Sequence, residues 1–227
     1  MLKLLKYDLN IQIRSGYWTV YSVIALVYIL IMVNLPLNIR DEVAVGLIYM
    51  DTSVLGLIFV GALVLLEKQQ GVLQSLSVTP LSLNNYLFSK AISLTILSAV
   101  ISSLLWIIPL WSFSGYGFIL SGVVLSSLAF TLFGLGFAAG AGSFNQFLAR
   151  IFVGTMVFSL PVLPMIFLPT MKWLIFLPSN AALDLFIRVT KDSFSFVQLL
   201  DLLILIIWIF ILQIFAEKQF IKHNLFL

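Results

Sequence analysis

The stretch EKQQGVLQSLSVTPLSLNNYLFSK, residues 67–90, is a polar interruption between two long apolar runs. Each run is long enough to cross a bilayer as a helix, which requires roughly 20 apolar residues. The stretch contains too few basic residues for a nucleic-acid site. Pro80 divides it, because the residue before a proline is pushed out of the helical region. The pattern therefore predicts two short helices around a Thr79-Pro80 turn, placed between two membrane spans.

The composition indicates an integral membrane protein, since 62% of the 227 residues are hydrophobic and only 9% are charged. Soluble domains carry about 25% charged residues. The apolar runs are continuous rather than alternating, so a β-barrel is not expected. We predict a single all-α transmembrane domain over residues 1–227. Its six spans lie at about 17–37, 47–66, 91–113, 117–142, 149–169 and 196–216.

The basic residues predict the orientation. With both termini on one side, that side holds eight of them: Lys3, Lys6, Arg14, Lys68, Lys90, Arg150, Lys218 and Lys222. The other side holds Arg40, Lys172, Arg188 and Lys191. By the positive-inside rule, both termini are expected in the cytoplasm of a cell with this protein in its inner or plasma membrane.

Two further helices are expected outside the spans. Residues 1–16 place apolar side chains at helical spacing, which is typical of a helix in the membrane interface. A frayed, solvated lead-in is the alternative. Residues 170–195 follow a proline-rich span and contain PSNAALDLFIR, in which Asp184 and Arg188 form an i, i+4 pair. We predict here a short helix on, or partly re-entering, the outer leaflet.

Four residues in the spans have a predicted packing or electrostatic role. Gly136 and Gly140 form a small-xxx-small pair, which allows helix backbones to approach closely. Contacts within the chain are favoured over a dimer seam for this pair. Asp51 and Asp201 lie just inside the predicted outer ends of their spans. An intramembrane acid is a functional hypothesis, but an interfacial position is the favoured interpretation of both.

The sequence contains no motif for catalysis. It has no G-x-x-x-x-G-K-[ST] loop for ATP and no G-x-S-x-G motif. It has no cysteine, and its single histidine, His223, lies in the tail. No His, Asp and Glu set has the spacing of metal ligands. We therefore expect a protein that is not an enzyme, with no cofactor and no metal of its own.

The 67–90 stretch resembles the corresponding segment of the membrane subunits of ABC transporters, in the ABC type 2 permease superfamily. Members often have an acidic residue after the second span, a glycine, leucines, a Thr/Ser-Pro turn, a Tyr-Leu pair and a lysine entering the third span. The matching residues here are Glu67, Gly71, Leu73, Leu76, Thr79-Pro80, Tyr86-Leu87 and Lys90. The order of an interfacial helix, six spans and an outer segment led by Pro178 is also similar. Small permeases of this kind include drug, bacteriocin-immunity and haem-export subunits.

The resemblance implies a half-transporter that moves an apolar or amphipathic substrate (a drug, a peptide or a lipid-like compound) outward. Two permease subunits, identical or different, would pair in the bilayer, each seated on a separate ABC ATPase that holds ATP and Mg. The 67–90 segment would be the coupling helix, with Glu67 and Lys68 as polar contacts and Leu73 and Leu76 as apolar anchors. Gly71, Thr79 and Pro80 complete that site. The substrate cavity would lie between subunits at spans 2 and 5, with the polar candidates Thr52, Ser53, Thr155 and Ser159.

A second class of function remains open. A non-transporting membrane scaffold, or an immunity protein that sequesters a peptide, would need no ATPase. Its 67–90 segment would tolerate substitution.

Overall fold

The structure, a computed structural model, describes residues 2–77, 80–110, 115–159, 172–191 and 196–223. These residues form nine α-helices and a 3-10 turn at Lys172–Phe176, and contain no strand. The helices are α1 (Leu2–Arg14), α2 (Tyr17–Val33), α3 (Leu37–Gln69), α4 (Val72–Ser77), α5 (Leu83–Leu110), α6 (Tyr116–Ala139), α7 (Phe144–Ser159), α8 (Pro178–Lys191) and α9 (Phe196–Lys222). The predicted all-helical membrane architecture is confirmed.

Four helices, α3, α5, α6 and α9, are long and apolar enough to cross a membrane. A fifth span results if α1 and α2, which meet at a bend of 65°, are counted together. The prediction of six spans is therefore supported only in part. The span predicted at 149–169 corresponds to α7 as far as residue 159, and the rest of it lies outside the described residues, as do Pro161, Pro164 and Pro169.

Gly16 makes the bend between α1 and α2 possible. Its φ of +79° is in the left-handed region, which costs glycine little and other residues much more. The chain can therefore turn sharply after Arg14. As a result α1 lies across the first turns of α5 instead of continuing the axis of α2.

Helix α6 is central in the bundle and packs against α3, α5, α8 and α9. Its crossing with α3 is close because two glycines meet there. A Cβ atom on Gly56 would lie 2.8 Å from the Phe130 Cβ and 2.9 Å from the Thr131 backbone nitrogen. A Cβ on Gly134 would lie 2.8 Å from the Leu57 carbonyl oxygen. At this crossing α3 changes to a π-helical turn over Leu55–Phe59.

Helix α8 is inserted among α3, α6 and α9, and does not rest on the surface of the bundle. Its residues 178–186 are buried, including Ala181, Ala182 and Phe186. The predicted pairing in this helix is confirmed, since Arg188 Nε lies 2.5 Å from Asp184 Oδ2. Whether this helix lies on the outer leaflet or partly re-enters it stays a prediction.

The bundle has two ends, which we name by their short helices. The α1 end holds α1, α4, the first turns of α5 and α7, and the last turns of α6 and α9. The α8 end holds α8, the first turns of α3, α6 and α9, and the last turn of α5. At the α8 end Arg40 Nη1 donates a hydrogen bond to the Pro109 carbonyl oxygen, 3.1 Å away.

Candidate functional site

An ionic cluster lies buried at the α1 end, next to the segment that the sequence singles out. Its cation is Lys90 on α5, and its anions are Asp8 on α1 and Glu67 on α3. Their exposed fractions are 1%, 2% and 3%. Three helices therefore contribute one charged side chain each to a site that excludes solvent.

The cluster satisfies both carboxylates. Lys90 Nζ lies 2.5 Å from Asp8 Oδ1 and donates a second hydrogen bond to Glu67 Oε1. The hydroxyl of Ser89 donates to Asp8 Oδ2 at 2.5 Å, and that of Tyr86 donates to Glu67 Oε2 at 2.7 Å. Each carboxylate oxygen thus accepts a hydrogen bond. Such satisfaction is required for buried charges, because their removal from water is unfavourable by several kcal/mol per ion.

A neutral contact extends the cluster along α1. Gln12 Nε2 donates to Ser93 Oγ at 2.9 Å, and both side chains are fully buried. The inward face of α1 thus combines these polar groups with Leu4 and Ile11, which pack against the main core. Its exposed face is also mixed, since it carries lysines as well as Ile13, which is 58% exposed.

The structure assigns Glu67 and Lys68 to contacts within the chain, whereas the sequence predicted that they contact a partner. Glu67 is buried against Lys90 and Tyr86. Lys68 Nζ donates to the carbonyl oxygens of Ala138, Ala139 and Ala141, at 3.2, 2.6 and 3.0 Å. Helix C termini leave such carbonyls unpaired and carry partial negative charge, so Lys68 caps α6.

The coupling segment also buries one of its predicted anchors. Leu73 on α4 is 2% exposed and belongs to the main hydrophobic core, and Gly71 turns the chain with a φ of +69°. Thr79 and the side chain of Leu76 lie outside the described residues. The described side chains that this segment exposes are amides, hydroxyls and proline: Gln69, Gln70, Gln74, Ser75, Pro80, Ser82 and Asn84.

Two of the predicted cavity residues line the same cavity. A space of about 430 Å³ lies between α3 and α7, and Ser53 and Thr155 contribute its hydroxyls. The rest of its lining is apolar: Leu57, Ile58, Leu148, Ile151 and Phe152. Its size is within the range of small-molecule sites. Thr52 faces α5 instead, within 3.4 Å of Ser98, and the side chain of Ser159 lies outside the described residues.

The outer face of α7 beside this cavity is apolar and open. Phe152, Val153 and Met156 are 62%, 66% and 46% exposed. No charged residue occurs from residue 151 to 159. Such a face suits lipid or an apolar partner helix better than water.

The two predicted packing glycines contact other parts of the same chain. A Cβ on Gly136 would lie 2.2 Å from the Phe215 ring on α9. A Cβ on Gly140 would lie 2.3 Å from Arg150 Nη1 and 2.6 Å from His223 Nε2.

Two acids, Asp51 on α3 and Asp201 on α9, are buried within the bundle, and their expected interfacial position in the membrane stays a prediction. Asp51 is 6% exposed, and Asp201 is 0% exposed. Asp51 Oδ2 and both carboxylate oxygens of Asp201 lack a hydrogen-bond partner among the described residues. Within those residues no group of three or more His, Cys, Asp or Glu side chains could hold a metal ion.

A family model and two curated proteins are similar to this chain. A family model described as "Fluoroquinolones export permease protein Rv2686c-like" matches residues 33–214. Two curated proteins of Mycobacterium tuberculosis, each named a fluoroquinolones export permease protein, are similar to the chain: MT2761 of strain CDC 1551 / Oshkosh and Rv2687c of strain ATCC 25618 / H37Rv. Each is 26% identical over 163 residues, which cover 70% of this chain and 67% of the relative.

Proposed function

The chain belongs to the Rv2686c-like family of fluoroquinolones export permeases, which are ABC type 2 permease subunits, and from this premise we propose that it is the membrane half of an ATP-driven exporter. It is a multi-pass membrane protein and a transport subunit rather than an enzyme. A separate ABC ATPase would supply the energy, with ATP and Mg bound on that partner.

The observation that carries the proposal is the ionic cluster beside the coupling segment. Helix α4 follows α3 and precedes α5, and the side chains of Glu67 and Lys90 join those two helices next to it. Asp8 joins α1 to the same point. A push on α4 from a soluble motor would therefore move three helices together, because their relative displacement would separate buried charges.

The proposed ATPase contact is the exposed surface of residues 69–75 and 80–82. Leu73 supports this surface from inside the protein, so its substitution would test folding rather than docking. Exposed amides such as Gln70 are the better probes. Docking on this side places both termini in the cytoplasm, in agreement with the distribution of basic residues.

The proposed substrate is an apolar or amphipathic drug, and the names of the relatives make fluoroquinolones the first compounds to assay. The cavity between α3 and α7 offers it an apolar lining with two hydroxyls. The open apolar face of α7 would pair with a second permease subunit, identical or different. Pairing there would enclose the substrate route between the two subunits.

Affinity purification in mild detergent tests the partner. We expect an ABC ATPase to co-purify with the native chain and to be lost with Gln70→Arg, since a bulky cation replaces a neutral amide on the docking surface. Asn38→Arg is the matched control, because Asn38 is an exposed amide at the α8 end. If no ATPase co-purifies with the native chain, the exporter proposal fails and a scaffold or immunity protein is favoured.

Drug accumulation in cells tests the cavity. Thr155→Trp should fill much of the cavity and abolish efflux while ATPase co-purification persists. Thr19→Trp, at an exposed position of α2, is the control for the bulk of the added side chain. Equal efflux by the Thr155→Trp variant and the native chain would remove the cavity from the substrate route.

A further inference from the structure

A larger cavity, of about 670 Å³, lies at the α1 end between α6, α7 and α9. It is separate from the ionic cluster and from the cavity that contains Ser53 and Thr155. Its lining has two halves. Apolar groups (Gly136, Phe137, Val153 and Phe215) form one, and polar and basic groups (Gln146, Arg150, Gln219, Lys222 and His223) form the other.

The basic half lacks acidic partners. The ion pairs among the described residues involve Lys90 and Arg188 alone as cations, so neither Arg150 nor Lys222 has a carboxylate within 4.0 Å in that part of the chain. Positive charge nevertheless accumulates here. Desolvation lowers the pKa of the His223 imidazole, and the charges of Lys222, Lys68 and Arg150 lower it further.

Helix capping does not account for these cations. The C terminus of α6 would attract positive charge, but Lys68 already donates to the carbonyl oxygens of Ala138, Ala139 and Ala141. Arg150 donates no hydrogen bond to these oxygens, yet its guanidinium and the His223 ring both approach Gly140. The two side chains converge beside a cavity whose polar half is positive.

The apolar half indicates what kind of anion would fit. Phe137 and Phe215 lie on helices that continue into the apolar part of the bundle, away from Lys222 at the end of α9. Val153, at the cavity's edge, is 66% exposed on the open face of α7. A ligand could therefore enter sideways from the bilayer, with its charged group at the end of the helices and its apolar part along them.

We infer that this cavity binds one anionic phospholipid, with its phosphate between Arg150 and Lys222 and an acyl chain along Phe137, Val153 and Phe215. Basic pockets between membrane helices are suited to such head groups, and each lysine or arginine near the head group strengthens binding. The bound lipid would occupy the space between α7 and α9 at the α1 end of the bundle. This inference does not depend on the proposed transport function.

Native mass spectrometry of the purified full chain tests the inference. The protein is incubated with phosphatidylglycerol or with phosphatidylcholine of the same acyl chains, and retained lipids are counted. We expect one tightly retained phosphatidylglycerol and no comparable phosphatidylcholine. The double variant Arg150→Gln/Lys222→Gln should retain phosphatidylglycerol about thirtyfold more weakly, since two cations near the phosphate are lost.

The control variant removes equal charge elsewhere. Arg14→Gln/Lys218→Gln neutralises two exposed cations outside the cavity, and Lys218 is one turn from Lys222 on α9. This variant should retain the lipid as the native chain does. Equal losses in the two double variants would show general charge attraction only and overturn the proposed site.

Three further experiments test the shape of the site, the source of the bound phosphate and the folding of the variants. Val153→Trp keeps every charge but fills the apolar half, and should also weaken retention of phosphatidylglycerol. Unchanged retention in this variant would overturn the acyl-chain placement.

Soluble glycerol phosphate, added at the same concentration as the lipid, should not displace phosphatidylglycerol. Full displacement would show that the cavity binds a small anion instead of a lipid. Tryptophan fluorescence during thermal unfolding, in phosphatidylcholine, should give native midpoints for all these variants.

Discussion

The two ends of the bundle bury acidic side chains in opposite ways. At the α1 end, Asp8 and Glu67 share Lys90, and hydroxyl groups complete their hydrogen bonding. At the α8 end, Asp201 is at least as deeply buried, but neither of its carboxylate oxygens has a partner among the described residues. Sequence position does not explain the contrast, because Glu67 and Asp201 both occur close to a predicted span boundary.

The contrast teaches that burial of charge serves different purposes at the two ends. A satisfied cluster fixes the distances between its helices, because any separation exposes unpaired charge to a low-dielectric interior. An acid without hydrogen-bond partners does not hold neighbouring helices together, and its burial is unfavourable. The α1 end, where we propose that the ATPase docks, is thus the end that is suited to transmit a displacement.

Loss of Lys90 should have the largest effect. Lys90→Met leaves two carboxylates buried beside each other without a cation, and breaking a buried pair costs about 3–5 kcal/mol. We expect the free energy of unfolding to fall by that amount, measured by denaturant titration with tryptophan fluorescence. Lys218→Met is the control, since Lys218 is exposed and should change stability by no more than about 0.5 kcal/mol. Similar effects of the two substitutions would contradict a structural role for the cluster.

The fold was largely predictable from the sequence because hydrophobic length reports directly on membrane helices. The helices α3, α5, α6 and α9 each coincide with most of a predicted span. Other features depend on neighbours in space. Helix α8 can insert because α6 has a small residue at their contact: a Cβ atom on Gly122 would lie 2.6 Å from Leu185. No local sequence pattern predicts that α6 and α8 pack together.

The candidate site was predictable in its location but not in its connections. The 67–90 segment was identified from its turn, its glycine and its flanking charges. The pairing of Lys90 with Glu67 is between residues 23 apart, and that with Asp8 between residues 82 apart. The count of basic residues on the cytoplasmic side treats each of them as solvated, so it gives no sign of these pairings. The available signal was the helical phase of α1, where Asp8 and Gln12 are four residues apart on one face, beside the apolar stripe that contains Leu2 and Ile13.

The same chemical change at the two ends should give different results. Asp8→Asn removes the charge from a fully paired carboxylate, and we expect a loss of about 2–3 kcal/mol, in the range of hydrogen bonds to charged groups. Asp201→Asn replaces an acid whose oxygens have no described partner, so stability should stay within about 1 kcal/mol of the native chain or increase. Both variants are compared by denaturant titration in one detergent. A greater loss from Asp201→Asn than from Asp8→Asn would reverse the comparison.

Removal of a single phenol oxygen gives the smallest and most closely matched test. Tyr86 donates to the carboxylate of Glu67 at 2.7 Å, and its side chain is fully buried. Tyr116 at the α8 end pairs with the neutral hydroxyl of Ser103 at 2.8 Å, in a partly buried position. Since hydrogen bonds to charged groups contribute about 1.5–3 kcal/mol and neutral ones about 0.5–1.5, Tyr86→Phe should destabilise the protein more than Tyr116→Phe.

The double variant Tyr86→Phe/Glu67→Gln refines the test, because the loss from Tyr86→Phe should shrink once Glu67 carries no charge. Additive losses would mean that the phenol acts independently of the ionic cluster, and the α1 end would then have no cooperative network for a motor to move.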